Sequence, residues 1–385
     1  MHIAFLTPEY PHERVAHAAG IGTSIKNLVV ALAKKKVTVS VFVYGQQEDA
    51  VFAEDGITIH LIKNRKYKFM GWYWHRKYIQ NYLNTQIVAK KIDAVEAPDW
   101  TGITAFMHLK APLVIRFHGS DTYFCHLEKR KQKLKNFWFE KLALQKASAL
   151  IAPTTFAGTL SKELFGITNK KIQTIHYGLE LDKFENPTPE NYEKGLLLYI
   201  GTIIRKKGVL ELPAIFKLVL QQHPYAKLIL IGSDSYDIST QSLSTWALVQ
   251  NELDKETRDK VTYLGKIPYQ EIQSYIKRAQ VCVFPTFAET LGMVTIESMA
   301  LQKPVVNSNI GWAQELLVDG ESGSLVYPKD HQGYAEKINA FLENETLCQQ
   351  TGKKARERVE QVFDVEKIVM ENICFYEEII KLKND

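Results

Sequence analysis

Two carboxylates stand out at a fixed spacing. Glu289 and Glu297 lie in the run Phe287-Ala288-Glu289-Thr290-Leu291-Gly292-Met293-Val294-Thr295-Ile296-Glu297, just after the apolar Val281-Cys282-Val283-Phe284 and Pro285. A strand, a turn and a glycine predict a helix opened by Gly292, whose unpaired N–H groups can receive phosphate or sugar oxygens. Glu289 then sits in the loop ahead of the helix and Glu297 more than a turn inside it, roughly 10 Å away on the helix rise. Ionised carboxylates only accept hydrogen bonds, so this pair suits two separate sets of hydroxyls, such as a sugar and a ribose. The plainer reading makes Glu289 a helix cap and leaves Glu297 in solvent. Thr290 is the better cap by residue type, which frees Glu289 for a ligand.

Other clusters also follow apolar runs. Gly201-Thr202-Ile203-Ile204-Arg205-Lys206-Lys207-Gly208 places a close-approach glycine and three cations where a diphosphate could be held; a solvated basic turn is the alternative. Ala18-Ala19-Gly20-Ile21-Gly22-Thr23-Ser24 reads as a glycine loop before a helix, a weak signal by itself. His118, at the end of Val114-Ile115-Arg116-Phe117 and before Gly119, is expected to face a ligand cleft. Asp99 and Trp100 either line the acceptor side of that cleft or serve as a cap and a core aromatic. Asp234 and Asp237 lack the further carboxylates a metal would need. The run from Lys63 to Tyr78 interleaves basic and aromatic residues. It could rest on an anionic bilayer, hold a lipid phosphate, or simply lead into a core helix.

The elements that must position these groups alternate from end to end, as in parallel sheets with crossover helices. Strands are predicted at 2–6, 37–44, 57–62, 92–96, 113–117, 148–152 and 171–175, with helices at 23–36, 72–91, 101–110, 128–146 and 155–165. The polar, proline-bearing stretch from Asp182 to Asn191 predicts a linker. The pattern restarts with a strand at 196–200, a helix at 208–223 and strands at 227–231, 261–264, 281–284 and 304–307. After about residue 330 only helix is expected. The fold class is α/β, with two Rossmann-like domains and a cleft between them. The expected boundaries are 1–184, a linker at 185–195, 196–363, and a final helical segment at 364–385. In such sheets ligands bind beyond the carboxyl ends of the strands, where the motifs fall.

Glu289 and Glu297, separated by seven residues with glycine three after the first, resemble the E-x7-E signature of retaining GT-B glycosyltransferases, particularly family 4. Gly265-Lys266-Ile267-Pro268, Pro304-Val305-Val306, Gly311, Glu315 and Asp319-Gly320-Glu321-Ser322-Gly323 follow the donor domain of that family in order and spacing. The resemblance implies a nucleotide diphosphate sugar as co-substrate, UDP-linked before GDP-linked, with no required cofactor and no metal. It implies donor contacts from Arg205, Lys207, Glu297, Gly20, Gly22, Gly201 and the run Thr290, Leu291, Gly292, Met293, and catalytic positions at Glu289 and His118. It also implies a last helix that returns to the N-terminal domain. Family members commonly carry arginine where this chain has Thr202, and Arg205 is the expected substitute.

Composition bounds the rest. The 385 residues are 45% hydrophobic and 24% charged, which excludes disorder and fibrous repeats. No apolar run approaches the roughly 20 residues of a membrane helix. The N-terminus lacks a basic leader region, and the four cysteines are scattered, so a reducing cytoplasm is expected. The net charge of +5 divides into +9 over residues 1–190 and −4 over the remainder. A basic first half suggests an anionic partner there, a glycan or lipid-linked acceptor or the inner membrane face, or else lysine-rich solvated helices. Nucleic acid is not expected. The leading function is retaining sugar transfer in glycan, lipopolysaccharide or other cell-surface polysaccharide synthesis. The alternatives are a sugar-nucleotide epimerase and a binding protein that has lost catalysis. A nicotinamide dehydrogenase is disfavoured, because no G-x-G-x-x-G follows the first strand.

Overall fold

A computed structural model describes residues 1–16 and 20–384. His17, Ala18 and Ala19, part of the first glycine motif, lie outside the described residues. The chain divides into two compact units, Met1–Leu179 with Val365–Asp385, and Glu180–Asp364.

Unit 1 is built on eight strands: β1 (His2–Thr7), β2 (Thr38–Gln46), β3 (Ala50–Glu54), β4 (Ile57–Lys63), β5 (Ala94–Pro98), β6 (Leu113–Arg116), β7 (Ala149–Ala152) and β8 (Ile172–Thr174). Their order is β3-β4-β2-β1-β5-β6-β7-β8, parallel except for the β3–β4 pair. Helices α1 (Gly20–Lys34), α2 (Gly71–Lys90), α3 (Asp121–Leu127), α4 (Leu134–Lys146) and α5 (Thr155–Phe165) connect them. One face of the sheet packs Ile79, Leu83 and Ile87 of α2 and Ala143 and Leu144 of α4. The other packs Ile25, Val29 and Leu32 of α1 with Val365, Val369 and Tyr376 of the last helix. Strands covered on both faces read as unbroken apolar runs, and these were legible.

Three local expectations change. Strand β3 was not expected, because as an edge strand it alternates half-buried and exposed residues. Asp55 (φ 52°) and Gly56 (φ 77°) form the tight turn that folds it against β4. The helix expected at 101–110 is a single 3-10 turn, Trp100–Gly102, followed by turns, since Thr101 and Phe106 take φ of 55° and 64°. The helix expected at 128–146 begins only at Leu134, as α4, and the separate helix α3, which was not expected, ends before it at Leu127. Lys129 turns left-handed at φ 53°, and the run Lys129-Arg130-Lys131-Gln132-Lys133 carries too many like charges to continue a helix.

Unit 2 holds β9 (Leu196–Ile200), β10 (Lys227–Ile231), β11 (Val261–Tyr263), β12 (Val281–Phe284), β13 (Val305–Ser308) and β14 (Ser324–Val326). All are parallel, in the order β11-β10-β9-β12-β13-β14. Its helices are α6 (Leu212–Gln222), α7 (Thr245–Glu252), α8 (Lys255–Arg258), α9 (Tyr269–Arg278), α10 (Met293–Ala300), α11 (Ala313–Leu316), α12 (His331–Glu343) and α13 (Glu345–Val362). The strand order reverses between β9 and β12, and such a switch point is where doubly wound sheets bind ligands. The stretch expected as a linker at 185–195 is instead fastened to this unit. Asn186 donates to the Leu301 carbonyl at 2.8 Å, Lys303 to Pro189 at 2.9 Å, and the Glu193 amide to Arg278 at 2.9 Å.

Helix α14 (Val365–Asn384) belongs to unit 1 and is tied there by a buried polar cluster. Arg116 on β6 donates to both oxygens of Glu96 on β5, at 2.7 and 3.1 Å, and to Asn372 Oδ1 at 2.5 Å. Tyr376 donates to Glu96 Oε2 at 2.6 Å. Every member is 2% exposed or less, so the pair is shielded and each lost partner strands a charge. We expect Arg116→Met to destabilise unit 1 by about 3–5 kcal/mol. Tyr376→Phe should cost about 1–3 kcal/mol. Urea unfolding of purified variants measures both, and equal stability of Arg116→Met and wild type would show that the cluster does not hold the helix.

Candidate active site

The loops after β9 and β12 are forced together at the switch point. Gly208 takes φ 69°, and a Cβ there would lie 1.7 Å from the Pro285 carbonyl oxygen, so only glycine fits. The amide of Phe287 donates to the Lys206 carbonyl at 2.8 Å, stitching the loops further. In consequence Lys207 forms an ion pair with Glu289, 82 residues away in sequence. The two side chains are 22% and 19% exposed. Burial, with the charge of Lys206 second, pulls the Lys207 ammonium down to about 7, while contact with Glu289 favours its charged form.

Gly292 opens α10 as expected, at a φ of 105° that again favours glycine. Gly292 itself, at the N-cap position, has no side chain to cap the helix, and the first turn has no acid. Its N-terminus therefore keeps the positive end of the dipole next to Lys207 and Glu289. Thr290 and Leu291 are buried in the turn, whereas Gly292 and Met293 are partly exposed.

Glu297 does not stand in solvent, as the plainer reading has it. It is 5% exposed, on a helix whose residues from Thr295 to Ala300 are all buried. Tyr269, at the start of α9, donates to Glu297 Oε1 at 2.5 Å. Burial pushes the Glu297 carboxyl up to about 7, with the Tyr269 hydrogen bond opposing. Tyr269 was not singled out from sequence, although it directly follows Gly265-Lys266-Ile267-Pro268.

Arg205 is already engaged. Its Nε and Nη2 donate to Asp237 at 2.9 and 2.8 Å, a bidentate pair that holds the Asp237 carboxyl down at about 2. The guanidinium is 45% exposed, and its Nη1 edge is not used by Asp237. Asp234 accepts from the amides of Ser235 and Trp246 and from the Ser244 hydroxyl, so both aspartates serve the loop itself. The Gly201 amide donates to Ile231 at 2.9 Å, within the extension of the sheet.

The remaining expected residues are in unit 1. Gly20 and Gly22 lie in the first turn of α1 instead of a loop, and the Gly22 amide donates to Glu9 Oε1 at 2.8 Å. Glu9 was missed; its signal is its place just beyond β1. His118 is partly exposed, with Nδ1 2.8 Å from the Tyr177 hydroxyl and its ring stacked on Tyr177 at 5.6 Å. Burial and the Arg116 charge push its imidazole down to about 3, so it is neutral at ordinary pH. Asp99 stands behind it: Oδ1 accepts from the His118 amide at 2.8 Å, and burial raises the carboxyl to about 7. Asp99 thus fixes the His118 backbone and is not an exposed acceptor contact, while Trp100 is 37% exposed and not a core residue.

Comparison with known proteins adds the family. The model for group 1 glycosyl transferases matches residues 181–358, and that for glycosyltransferase family 4 matches residues 18–183. The chain belongs to the group 1, family 4 glycosyltransferases. The chain is similar to the capsular polysaccharide biosynthesis glycosyltransferase CapM of Staphylococcus aureus, with 30% identity over 266 residues. The match covers 64% of this chain and 65% of that protein's length. The fold is GT-B. A sucrose-phosphate synthase from Thermosynechococcus elongatus superposes with a TM-score of 0.82 at 20% identity over 99% of each chain. HepE of Anabaena, solved with UDP and glucose, gives a TM-score of 0.72 at 18% identity, covering 98% of this chain and 100% of that one.

The buried carboxyl of this glycosyltransferase gives a signed expectation. Because its folded pKa is raised, Glu297 favours folding while protonated, and that contribution is lost as pH rises from the unfolded value through about 7. Glu297→Gln imitates the protonated form. Its Tm relative to wild type should rise between pH 5 and pH 8 in ligand-free thermal melts. A difference that stays constant with pH would mean that Glu297 is ionised throughout.

Proposed function

We propose that this glycosyltransferase moves a sugar, with retention, from a nucleotide diphosphate sugar to a hydroxyl acceptor. A UDP-linked donor is favoured, and the reaction needs no further cofactor. The acceptor belongs to the glycan, lipopolysaccharide or other cell-surface polysaccharide class. The observation that carries this reading is the Lys207–Glu289 pair beside the glycine-opened N-terminus of α10 at the strand switch point. Lysine and helix amides form a cationic surface for a diphosphate, whose charge grows as the glycosidic bond breaks. A diphosphate competes with Glu289 for Lys207, and the released carboxylate becomes an acceptor for sugar hydroxyls. Glu297, with Tyr269 fixing one oxygen, supplies the second carboxylate, for ribose hydroxyls. The HepE structure, with its UDP and glucose, and the polysaccharide role in the name of CapM support the donor and product classes.

One observation favours a second reading, binding without transfer. Thr202 replaces the usual arginine, and Arg205 is held by Asp237. Release of labelled sugar from a labelled UDP-sugar separates the two.

Steady-state kinetics with one donor tests the roles. Glu297→Gln should mainly raise the donor KM, and Glu289→Gln should mainly lower kcat. Lys207→Ala should weaken donor binding by roughly tenfold or more, the loss of a charge-assisted hydrogen bond. Full kcat in Glu289→Gln, or wild-type donor affinity in Lys207→Ala, would contradict the assignment.

A further inference from the structure

The basic and aromatic run from Lys63 to Tyr78 is not used by any donor-side residue, and in the fold it does not stand alone. Trp72, the second residue of α2, packs on Phe139 of α4 with ring centroids 4.9 Å apart, and Phe106 lies 5.5 Å from both rings. Lys135, the second residue of α4, sits 5.8 Å from the Trp72 centroid and 5.5 Å from that of Phe139. The N-termini of the two helices therefore meet, and the segments that enter them converge.

Residues 63–78 and 129–141 together carry twelve lysines and arginines and one acid, Glu140. That carboxylate is buried and accepts from the amides of Asp121 and Thr122, so it does not offset the surface charge. Neither α2 nor α4 has an acidic residue in its first turn. Both positive helix ends thus add to the lysines, an arrangement that does not serve helix stability. Large apolar side chains stand among these charges: Phe69 and Leu134 are 76% exposed, Trp138 54% and Trp74 50%. Leu134, Trp138 and Lys141 share one face of α4.

We propose that this surface docks the protein on an anionic bilayer. The chemistry matches both halves of it: lysines meet anionic headgroups, and exposed aromatic and aliphatic groups enter the interfacial layer. Attachment is to the surface, since among the described residues no helix is long and apolar enough to cross a membrane. Single-stranded nucleic acid needs open ring faces in a groove. Trp72, Tyr73, Phe106 and Phe139 instead pack against one another. The proposal stands apart from the donor reading and does not need it.

Co-sedimentation of the full chain with vesicles tests it. One vesicle set is phosphatidylcholine alone, and the other carries about one-third phosphatidylglycerol. Wild type should partition at least about tenfold better onto the anionic vesicles and be released at about 500 mM salt. The exposed set Lys66→Gln, Lys68→Gln, Lys131→Gln and Lys133→Gln should lose about a hundredfold or more, since each lysine is worth about fivefold near such a surface. Phe69→Ser with Leu134→Ser and Trp138→Ser should also weaken binding, whereas Lys353→Gln with Lys354→Gln should not. Three results would overturn the proposal: no preference for anionic vesicles, unchanged binding by the four-lysine variant, or tighter binding to polyuridylate than to vesicles. A concentration-dependent dimer that the apolar variant abolishes would likewise reassign the surface to a second copy of the chain.

Discussion

Gly208 against the Pro285 carbonyl is the contact on which the candidate active site depends. Two crossover connections leave neighbouring strands, β9 and β12, in opposite directions, and the gap between them would otherwise widen. The absent Cβ lets one loop backbone rest on the other. Everything chemically useful in unit 2 follows from that approach. Lys207 reaches Glu289, the Lys206 carbonyl receives the Phe287 amide, and α10 starts beside both charges. A larger residue at 208 would separate the two loops before it disturbed either strand.

The charges at this site are held near their switching points. Burial brings Lys207 down and Glu297 up, both to about 7, while Lys207 keeps Glu289 as its partner. Under the proposed reading, a diphosphate and a ribose supply the counter-charge and the hydrogen-bond donors that the ligand-free site lacks. Binding would then favour the ionised form of both groups. Unit 1 shows the opposite design. Arg116 and Glu96, completed by Asn372 and Tyr376, use their charge to fix α14, and burial together with the Arg116 charge keeps His118 neutral.

Sequence carried the parallel strands and the loops after them, because strands such as Leu196–Ile200 and Val281–Phe284 are buried on both faces and read as apolar runs. It carried the start of α10, because Gly292 breaks the run ahead of a periodic segment. It did not carry β3, an edge strand with one wet face, nor the left-handed residues that dissolve the helix expected at 101–110. Long-range partners were also hidden. Nothing local ties Arg205 to Asp237, Glu9 to Gly22 or Tyr269 to Glu297, since each pairing is set by which loops the sheet order brings together. The burial of Glu297 does have a sequence signal: no other residue from Met293 to Ala300 is charged, and Ile296, Met299 and Ala300 surround it with apolar side chains.

The most direct measurement of the central contact is calorimetric titration of UDP into Gly208→Ala, beside wild type and Gly320→Ala. Gly320 shares the left-handed backbone, at φ 75°, but a Cβ there meets nothing within 4 Å. The control therefore reports strain without displacement of a loop. The account predicts that Gly320→Ala binds UDP as wild type does and that Gly208→Ala binds at least about tenfold more weakly, the loss of one charge-assisted contact. Wild-type UDP affinity in Gly208→Ala would contradict it.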